Sequence, residues 1–307
     1  LTFTSDFEPG ATFPLGTTTV TYTATDASDN IYSESFTVTV NDTEDPTVTA
    51  PVAVTVNADN GECYATGVAL GTPDTDDNCG VEDVSNDAPS QFPVGETTVT
   101  WTVEDVNGRT ATATQLVTVV DDQDPTITAP VAVTVNADNG ECYATGVALG
   151  TPDTDDNCGV EDVSNDAPSQ FPVGETTVTW TVEDVNGRTA TATQLVTVVD
   201  DQDPTIVDLP SNITQSNDPG VCGAVISWAE PTSTDNCTGS TIVQTAGPAN
   251  GSVFPVGTTT VTYTATDASN NTYSGSFIVT ITNSAPTITD ISGPVGPQQM
   301  EIGRAHV

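Results

Sequence analysis

The chain has almost no basic side chains. Its 307 residues include no lysine, and 3 arginines stand against 43 aspartates and glutamates, which gives a formal net charge of −40. Nucleic-acid binding requires Lys and Arg to displace counterions from phosphates. The composition therefore excludes nucleic acid as a partner, disfavours anionic lipid surfaces and favours cations.

Histidine and long apolar runs are equally scarce. The single histidine is His306, close to the end of the chain. Ser–His or Cys–His dyads therefore cannot form in the body of the protein, and we predict that it is not an enzyme. No apolar run approaches the roughly 20 residues that span a bilayer as a helix, so we predict no membrane insertion in this segment.

One long segment occurs twice. Residues 46–122 recur at 125–201 with one change, Val48 to Ile127, and the period is 79 residues (124 − 45). Such a period is typical of tandem domains. Because no signal-like segment precedes Leu1 and the first unit has no front half, we expect the natural N-terminus to lie upstream. The predicted units are a partial repeat at 1–44, complete repeats at 45–123, 124–202 and 203–283, a further segment at 284–300, and residues 301–307, which match a translated sequencing adapter and are interpreted as an artefact.

Apolar residues alternate with threonine in the back half of each repeat. Residues 98–103 read Thr-Val-Thr-Trp-Thr-Val, the pattern of a half-buried strand. A turn at 104–108 and a Thr/Val-rich strand at 110–120 follow, and two more strands are predicted at 48–56 and 63–70. Gly and Pro punctuate the chain, and no stretch has helical spacing. We predict an all-β chain of tandem immunoglobulin-like β-sandwiches with short antiparallel strands, arranged as beads on a string.

The cysteines fall into regular pairs. Each complete repeat has two, at sequence separations of 16, 16 and 15 residues. A zinc site is the alternative, but two Cys without a His make a poor zinc shell. We predict one disulfide within each repeat, and therefore an oxidising, extracellular setting. The predicted pairs are Cys63 with Cys79, Cys142 with Cys158, and Cys222 with Cys237.

Several motifs recur in the same order along the chain. They are the Asp-Pro opening, Asp77-Asn78-Cys79, Phe92-Pro93-Val94-Gly95, the Thr-Val-Thr-Trp-Thr strand and the Asp105 turn. In these motifs the chain resembles the hyalin repeat (HYR) family. The resemblance implies an immunoglobulin-like module of extracellular adhesion and surface proteins, used in tandem and without catalytic activity. Similar repeats occur in large secreted or surface-anchored bacterial proteins, so we expect a secreted or cell-surface protein of bacterial origin.

Acidic residues concentrate in three places of each repeat: the entry linker, the loop before the second cysteine and the last hairpin turn. In a sandwich these places share one end, and Asp oxygens suit calcium. The alternatives are a solvated acidic surface and, for Asp105, capping of its own turn. Residues 203–282 hold six acids against fourteen in 45–123, yet Asp203, Asp235 and Asp267 recur in these places, which favours calcium. The predicted ligands are Asp42, Asp45, Asp76, Asp77, Asp105, Asp121, Asp124, Asp155, Asp156, Asp184, Asp200, Asp203, Asp235 and Asp267.

The predicted function is structural. We expect a segment of a fibre or adhesin stalk, stiffened by disulfides and by calcium at domain junctions, whose partners are neighbouring repeats and other copies of itself. The alternative is an array of glycan- or protein-binding modules, for which Trp228 is the candidate exposed aromatic. Asn212, Asn250 and Asn270 lie in glycosylation sequons, although such sequons also arise by coincidence in a chain rich in Asn and Thr.

Overall fold

A computed structural model describes residues 1–285. The predicted artefact at 301–307 and nearly all of the predicted segment 284–300 lie outside these residues. Every regular element in the described part of the chain is a β-strand. Contacts divide the chain into two compact units. The first comprises Leu1–Ala129, Pro152–Asn165 and Trp180–Ala192, and the second comprises Pro130–Thr151, Asp166–Thr179 and the chain from Thr193 onward.

The first part of the chain is a single sheet. Its strands are β1 Thr2–Ser5, β2 Gly16–Thr25 and β3 Ile31–Val40. They pair antiparallel in the order β1-β2-β3. This region therefore supplies one layer of a sandwich and no second layer.

The next repeat is a complete sandwich. Its strands are β4 Thr47–Thr49, β5 Val54–Asn57, β6 Tyr64–Thr66, β7 Asp74–Asp76, β8 Val81–Asn86, β9 Gln91–Pro93, β10 Gly95–Asp105 and β11 Thr110–Val120. One layer has the order β5-β11-β10-β8, and the pairs β4-β7 and β6-β9 form the other. Trp101, Val99 and Val117 from the first layer pack with Phe92 and Ala65 from the second. The core lies between the layers.

The same elements recur twice more. The third repeat has β12 Thr126–Thr128, β13 Val133–Asn136, β14 Tyr143–Thr145, β15 Asp153–Asp155, β16 Val160–Asn165, β17 Gln170–Pro172, β18 Gly174–Asp184 and β19 Thr189–Val199. The fourth has β20 Thr205–Val207, β21 Ile213–Ser216, β22 Gly223–Val225, β23 Thr232–Thr234, β24 Thr241–Ala246, β25 Val253–Pro255, β26 Gly257–Thr266 and β27 Thr272–Thr282. Each repeats the four-stranded order and the two strand pairs. The predicted fold class, all-β with tandem immunoglobulin-like sandwiches, is confirmed.

The front of each repeat differs from the prediction in detail. The single strand expected at 48–56 is two strands, β4 and β5, and Pro51 lies between them. Proline has no N–H to donate to a ladder and restricts the residue before it. β4 pairs antiparallel with β7, whereas β5 pairs parallel with β11, so the expectation of antiparallel strands throughout is wrong. The strand expected at 63–70 is confined to β6.

The last hairpin of each repeat positions the acidic residues. In β10 the buried Val99, Trp101 and Val103 alternate with threonines, as predicted. The pairing of β10 with β8 shifts register between Glu104 and Asp105. Such a bulge re-aims the side chain that follows it, and Asp105 is only 1% exposed. The strand therefore ends with a carboxylate pointing into the protein.

Candidate metal centre

Three aspartates meet where the second and third repeats join. Asp121 follows β11, Asp156 follows β15 and Asp184 ends β18. One carboxylate oxygen of each lies within 4.8 Å of the other two. Asp121 is 4% exposed and Asp184 is 1% exposed. The linker, the loop before the second cysteine and the last turn are thus brought together, and this cluster, Asp121/Asp156/Asp184, is the first joint.

Each carboxylate of the first joint uses one oxygen for its own loop. Asp184 Oδ1 accepts the N–H groups of Asn186 at 2.8 Å and Arg188 at 2.9 Å. Asp156 Oδ2 accepts those of the two residues that end its loop, at 2.8 and 2.9 Å. Asp121 Oδ1 accepts the N–H of Gln123 at 3.1 Å. These bonds fix where the second oxygen of each carboxylate points.

The second oxygens are buried without a hydrogen-bond partner. They are Asp121 Oδ2, Asp156 Oδ1 and Asp184 Oδ2. Buried polar atoms in proteins almost always have a partner, and unit negative charges about 4 Å apart repel by roughly 4 kcal/mol at an effective dielectric of 20. A cation among the three oxygens removes both penalties. Because all three donors are hard carboxylate oxygens, they fit Ca²⁺, with its preference for six to eight oxygens, better than zinc or copper.

An equivalent cluster precedes the second repeat. Asp42 Oδ2, Asp77 Oδ1 and Asp105 Oδ2 are likewise buried without partners. Asp105 Oδ1 accepts the N–H groups of Asn107 at 2.7 Å and Arg109 at 2.9 Å. The two interpretations of Asp105 are therefore compatible, since one oxygen caps the turn while the other faces the cluster.

The cluster between the third and fourth repeats differs in one residue. Asp200 Oδ2 and Asp235 Oδ1 again have no partner. Asp267, in contrast, gives one oxygen to the N–H of Asn271 and the other to its side-chain Nδ2, both at 2.8 Å. The cluster Asp200/Asp235/Asp267, the second joint, therefore offers two free oxygens where the first joint offers three.

Several predicted ligands lie outside these clusters. Asp45, Asp76, Asp124, Asp155 and Asp203 are exposed. The Asp124 carboxylate forms an ion pair with the guanidinium of Arg188 at 2.7 Å. Asp124 and Asp155 also line a cleft beside Asp156. Their carboxylates face solvent at the rim, so they add negative charge around the cluster.

The disulfides connect successive repeats. Cys63 bonds Cys158, and Cys142 bonds Cys237, each at a sequence separation of 95 residues. The predicted pairing within repeats, Cys63–Cys79, Cys142–Cys158 and Cys222–Cys237, is wrong. Cys79 and Cys222 are free and exposed.

The two cysteines of one repeat lie at opposite ends of it. Beside Cys63, the N–H of Gly61 donates to Gln123 in the linker to the next repeat, at 2.7 Å. Cys79, in contrast, clusters with Asp42 in the linker from the previous part of the chain. A separation of 95 residues is one period of 79 plus 16, so the repeat disguises a bond to the next domain as a bond within the same one.

The disulfide and the aspartate cluster share one loop. The Nδ2 of Asn157, between Asp156 and Cys158, donates to the carbonyl of Glu62 at 3.0 Å and to Asp121 Oδ1 at 3.3 Å. Asn236 makes the equivalent bonds in the second joint. Covalent link and candidate cation site thus belong to the same contact between repeats.

The residues proposed for glycans have other roles. Trp228 is half-buried, packs edge-on against Phe254 and Phe277, and donates its indole N–H to the Tyr263 hydroxyl at 2.8 Å. The expectation that Trp228 is exposed is wrong, because its ring completes the core. Of the sequon asparagines, Asn250 uses its Nδ2 in hydrogen bonds to Trp228 and Glu230, whereas Asn212 and Asn270 are exposed.

A family model for the HYR domain matches residues 2–40, 41–119, 120–198 and 199–281. Hyalin from Strongylocentrotus purpuratus is 34% identical over 326 residues, which cover 99% of this chain and 26% of that protein. Hyalin from Lytechinus variegatus is 33% identical over 322 residues, covering 99% and 60%. The chain therefore spans less than two thirds of these curated relatives. A Rattus norvegicus protein with Sushi, von Willebrand factor type A, EGF and pentraxin domains is 36% identical over 109 residues, covering 34% and 3%.

Solved structures give weaker matches. Drosophila N-cadherin EC1-4 has a TM-score of 0.34 at 13% identity, covering 89% of this chain and 85% of that one. Mouse cadherin-23 EC22-24 has a TM-score of 0.32 at 15% identity, covering 78% and 99%. Within residues 1–285 there is no helix long and apolar enough to cross a membrane. The prediction of a bacterial origin is wrong, because the curated relatives are animal proteins.

Proposed function

Because the chain belongs to the HYR domain family, we propose that it is a non-enzymatic structural segment of an extracellular fibre or adhesive stalk, whose joints are held by disulfides and calcium. The observation that carries this proposal is the coincidence, in one loop, of a disulfide between successive repeats and a cluster of unpartnered carboxylate oxygens. A catalytic site would need a nucleophile and a base, and neither is assembled there.

The disulfides support a mechanical role. Each bridges two neighbouring repeats, so separating those repeats would require breaking a covalent bond or unfolding a domain. In the chain-entropy model a bridge closing about 95 residues restricts the unfolded chain by roughly 4 to 5 kcal/mol. Bridges of this kind persist in oxidising compartments, which agrees with an extracellular location.

Calcium is proposed for the joints on the chemistry of the donors. In the first joint three buried oxygens from three separate loops converge, so an ion bound there would tie the linker, the front loop and the last turn together. Backbone carbonyls and water would complete its shell, because Ca²⁺ accepts both. The cysteines of the joint are bonded to each other and offer no thiolate, which disfavours zinc.

The test is calorimetry of the oxidised chain with and without calcium. We expect Ca²⁺ to raise Tm and to release heat on titration, and the triple variant D121N/D156N/D184N to lose most of that response. A Tm unchanged between millimolar Ca²⁺ and EDTA would contradict the calcium proposal. Peptide mapping under non-reducing conditions tests the bridges separately, since a Cys63–Cys79 product would contradict them.

Further properties follow as predictions. We propose that copies of the chain associate in the fibre, and that Asn212 and Asn270, which are exposed, accept sugar; the intact mass compared with 31.5 kDa tests the latter. We also propose repeat boundaries near residues 45, 124 and 203, four residues later than the start of the family matches at 41, 120 and 199.

A further inference from the structure

Residues 2–40 fold as half of a sandwich whose inner face is uncovered. β2 has the same ten-residue sequence as β26 of the fourth repeat, and β3 resembles β27. Yet Tyr22 is 47% exposed where its equivalent Tyr263 is 3% exposed, and Phe36 is 52% exposed where Phe277 is 2% exposed. Identical strands with opposite burial mean that this face is built to be covered.

The fourth repeat shows what covers such a face. Ile206, Leu209 and Ile213, from the front half of that repeat, pack against the cluster that contains Tyr263 and Phe277. The strand that carries Ile213, β21, also pairs parallel with β27. The corresponding edge of β3 makes no strand pair in the described chain.

The end of β3 carries a second unfilled position. Cys79 is free there, and one of its neighbours is Asp42, two residues past the strand. Asp42 Oδ2 and Asp105 Oδ2 are buried without partners, and Asp105 is 1% exposed. At the two other joints the equivalent cysteines, Cys158 and Cys237, are bonded to the front-half cysteine of the repeat before.

We infer that β1–β3 together with Cys79 form a docking surface for one kind of partner, the cysteine-bearing front half of an HYR repeat. The partner adds a strand parallel to β3 and covers Tyr22 and Phe36 with its apolar side chains, a form of strand complementation. Its cysteine then bonds Cys79. An exposed apolar face bounded by a free strand edge is the kind of surface that marks such an interaction site.

The covalent step is a thiol–disulfide exchange. The partner's thiolate attacks oxidised glutathione and releases one glutathione, and the Cys79 thiolate then displaces the second glutathione from the mixed disulfide. One disulfide of glutathione is reduced to two thiols, and two protein thiols are oxidised to one disulfide. The non-covalent docking needs no oxidant.

The experiment uses the full chain as C222S, which leaves Cys79 as its one free thiol, and a synthetic peptide of residues 124–159 carrying C158S. Cys142 of this peptide stands in the place of the missing front-half cysteine. In a glutathione redox buffer we expect a 1:1 adduct at Cys79 by peptide mapping. With the chain C79S/C222S, which cannot bond, we expect the peptide to slow hydrogen exchange along the free edge of β3.

Two controls separate docking from simple thiol reactivity. A peptide of the same composition, scrambled around the fixed cysteine, has no register with β3. A peptide with V133D/V135D keeps the sequence but places charge on the apolar positions of the added strand. We expect both to form adduct at least about tenfold more slowly, a difference of roughly 1.4 kcal/mol. Equal rates for the scrambled peptide, or no protection of β3 by the authentic one, would overturn the inference, whereas failure of calcium binding would leave it standing.

Discussion

The first joint and the second joint have the same backbone and the same disulfide, yet they treat a carboxylate differently. In the first, Arg188 turns its side chain to Asp124 and leaves Asp184 Oδ2 unpartnered. In the second, the residue at the same turn position is Asn271, whose amide occupies Asp267 Oδ2 and also donates to the Asp200 carbonyl. One side chain decides whether the third oxygen is available.

This difference teaches that acid content is a poor guide to cation sites. Asp267 is conserved in place among the repeats and is 6% exposed, as a ligand would be. Its amide neighbour nevertheless satisfies it internally, in the way a bound ion would satisfy Asp184. We therefore expect the first joint to depend on calcium more strongly than the second.

Removing a bridge should have the largest effect, because both joints share it. The variant C63S/C158S loses a link that closes about 95 residues, and we expect its free energy of unfolding to fall by roughly 3 to 4 kcal/mol. Denaturant unfolding under non-reducing conditions measures this. The matched control C79S/C222S removes two free, exposed cysteines and should leave stability unchanged. Equal losses in the two variants would contradict the observed pairing.

Removing a ligand from each joint tests the comparison directly. We expect D184N to weaken calcium binding at the first joint by at least roughly 10- to 100-fold, because it neutralises one of three converging carboxylates. D267N removes a carboxylate whose oxygens are already occupied by Asn271, so titration calorimetry should show a change of less than about threefold. The reverse order of effects would refute the difference between the joints.

Exchanging the deciding side chains should invert the comparison. N271R frees Asp267 Oδ2 and provides a guanidinium that can pair with Asp203, as Arg188 pairs with Asp124. We expect calcium affinity at the second joint to rise by about tenfold, and R188N to lower it at the first by a similar factor. Titration calorimetry of both variants checks this. If neither responds, the amide of Asn271 is not what sets the affinity.

The smallest expected effect is a pH dependence confined to the fourth repeat. Hydrogen bonds from Tyr263 at 2.6 Å and from Asn250 at 2.8 Å lower the pKa of the Glu230 carboxyl. Because the folded pKa lies below the unfolded value, this stabilisation is present above about pH 4.5 and is lost as pH falls through the folded pKa. We expect Tm of the E230Q variant to fall less between pH 5 and 3 than that of the parent chain. Identical slopes would show that the carboxyl contributes nothing.

The candidate cation site could be predicted in part from the sequence. Asp121, Asp156 and Asp184 follow three strand ends that a sandwich places at one end, so their meeting was foreseeable from the strand pattern. The role of Asn271 was missed, although the signal is visible as an Asn where the other complete repeats have Arg109 and Arg188, four residues after the Asp of the turn. The free oxygens depend on side-chain hydrogen bonds, which no spacing reveals.

By itself the sequence determined the strands, the sandwich and the number of repeats, because alternation of Val and Trp with Thr and the positions of Gly and Pro act over a few residues. Tertiary structure alone decided the partner of each cysteine. A period of 79 residues makes separations of 16 and 95 equivalent in sequence, and only the placement of Cys63 and Cys79 at opposite ends of one sandwich distinguishes them. Disulfide formation requires Cα atoms within about 7 Å, so distance in space, not regularity in sequence, selects the bond.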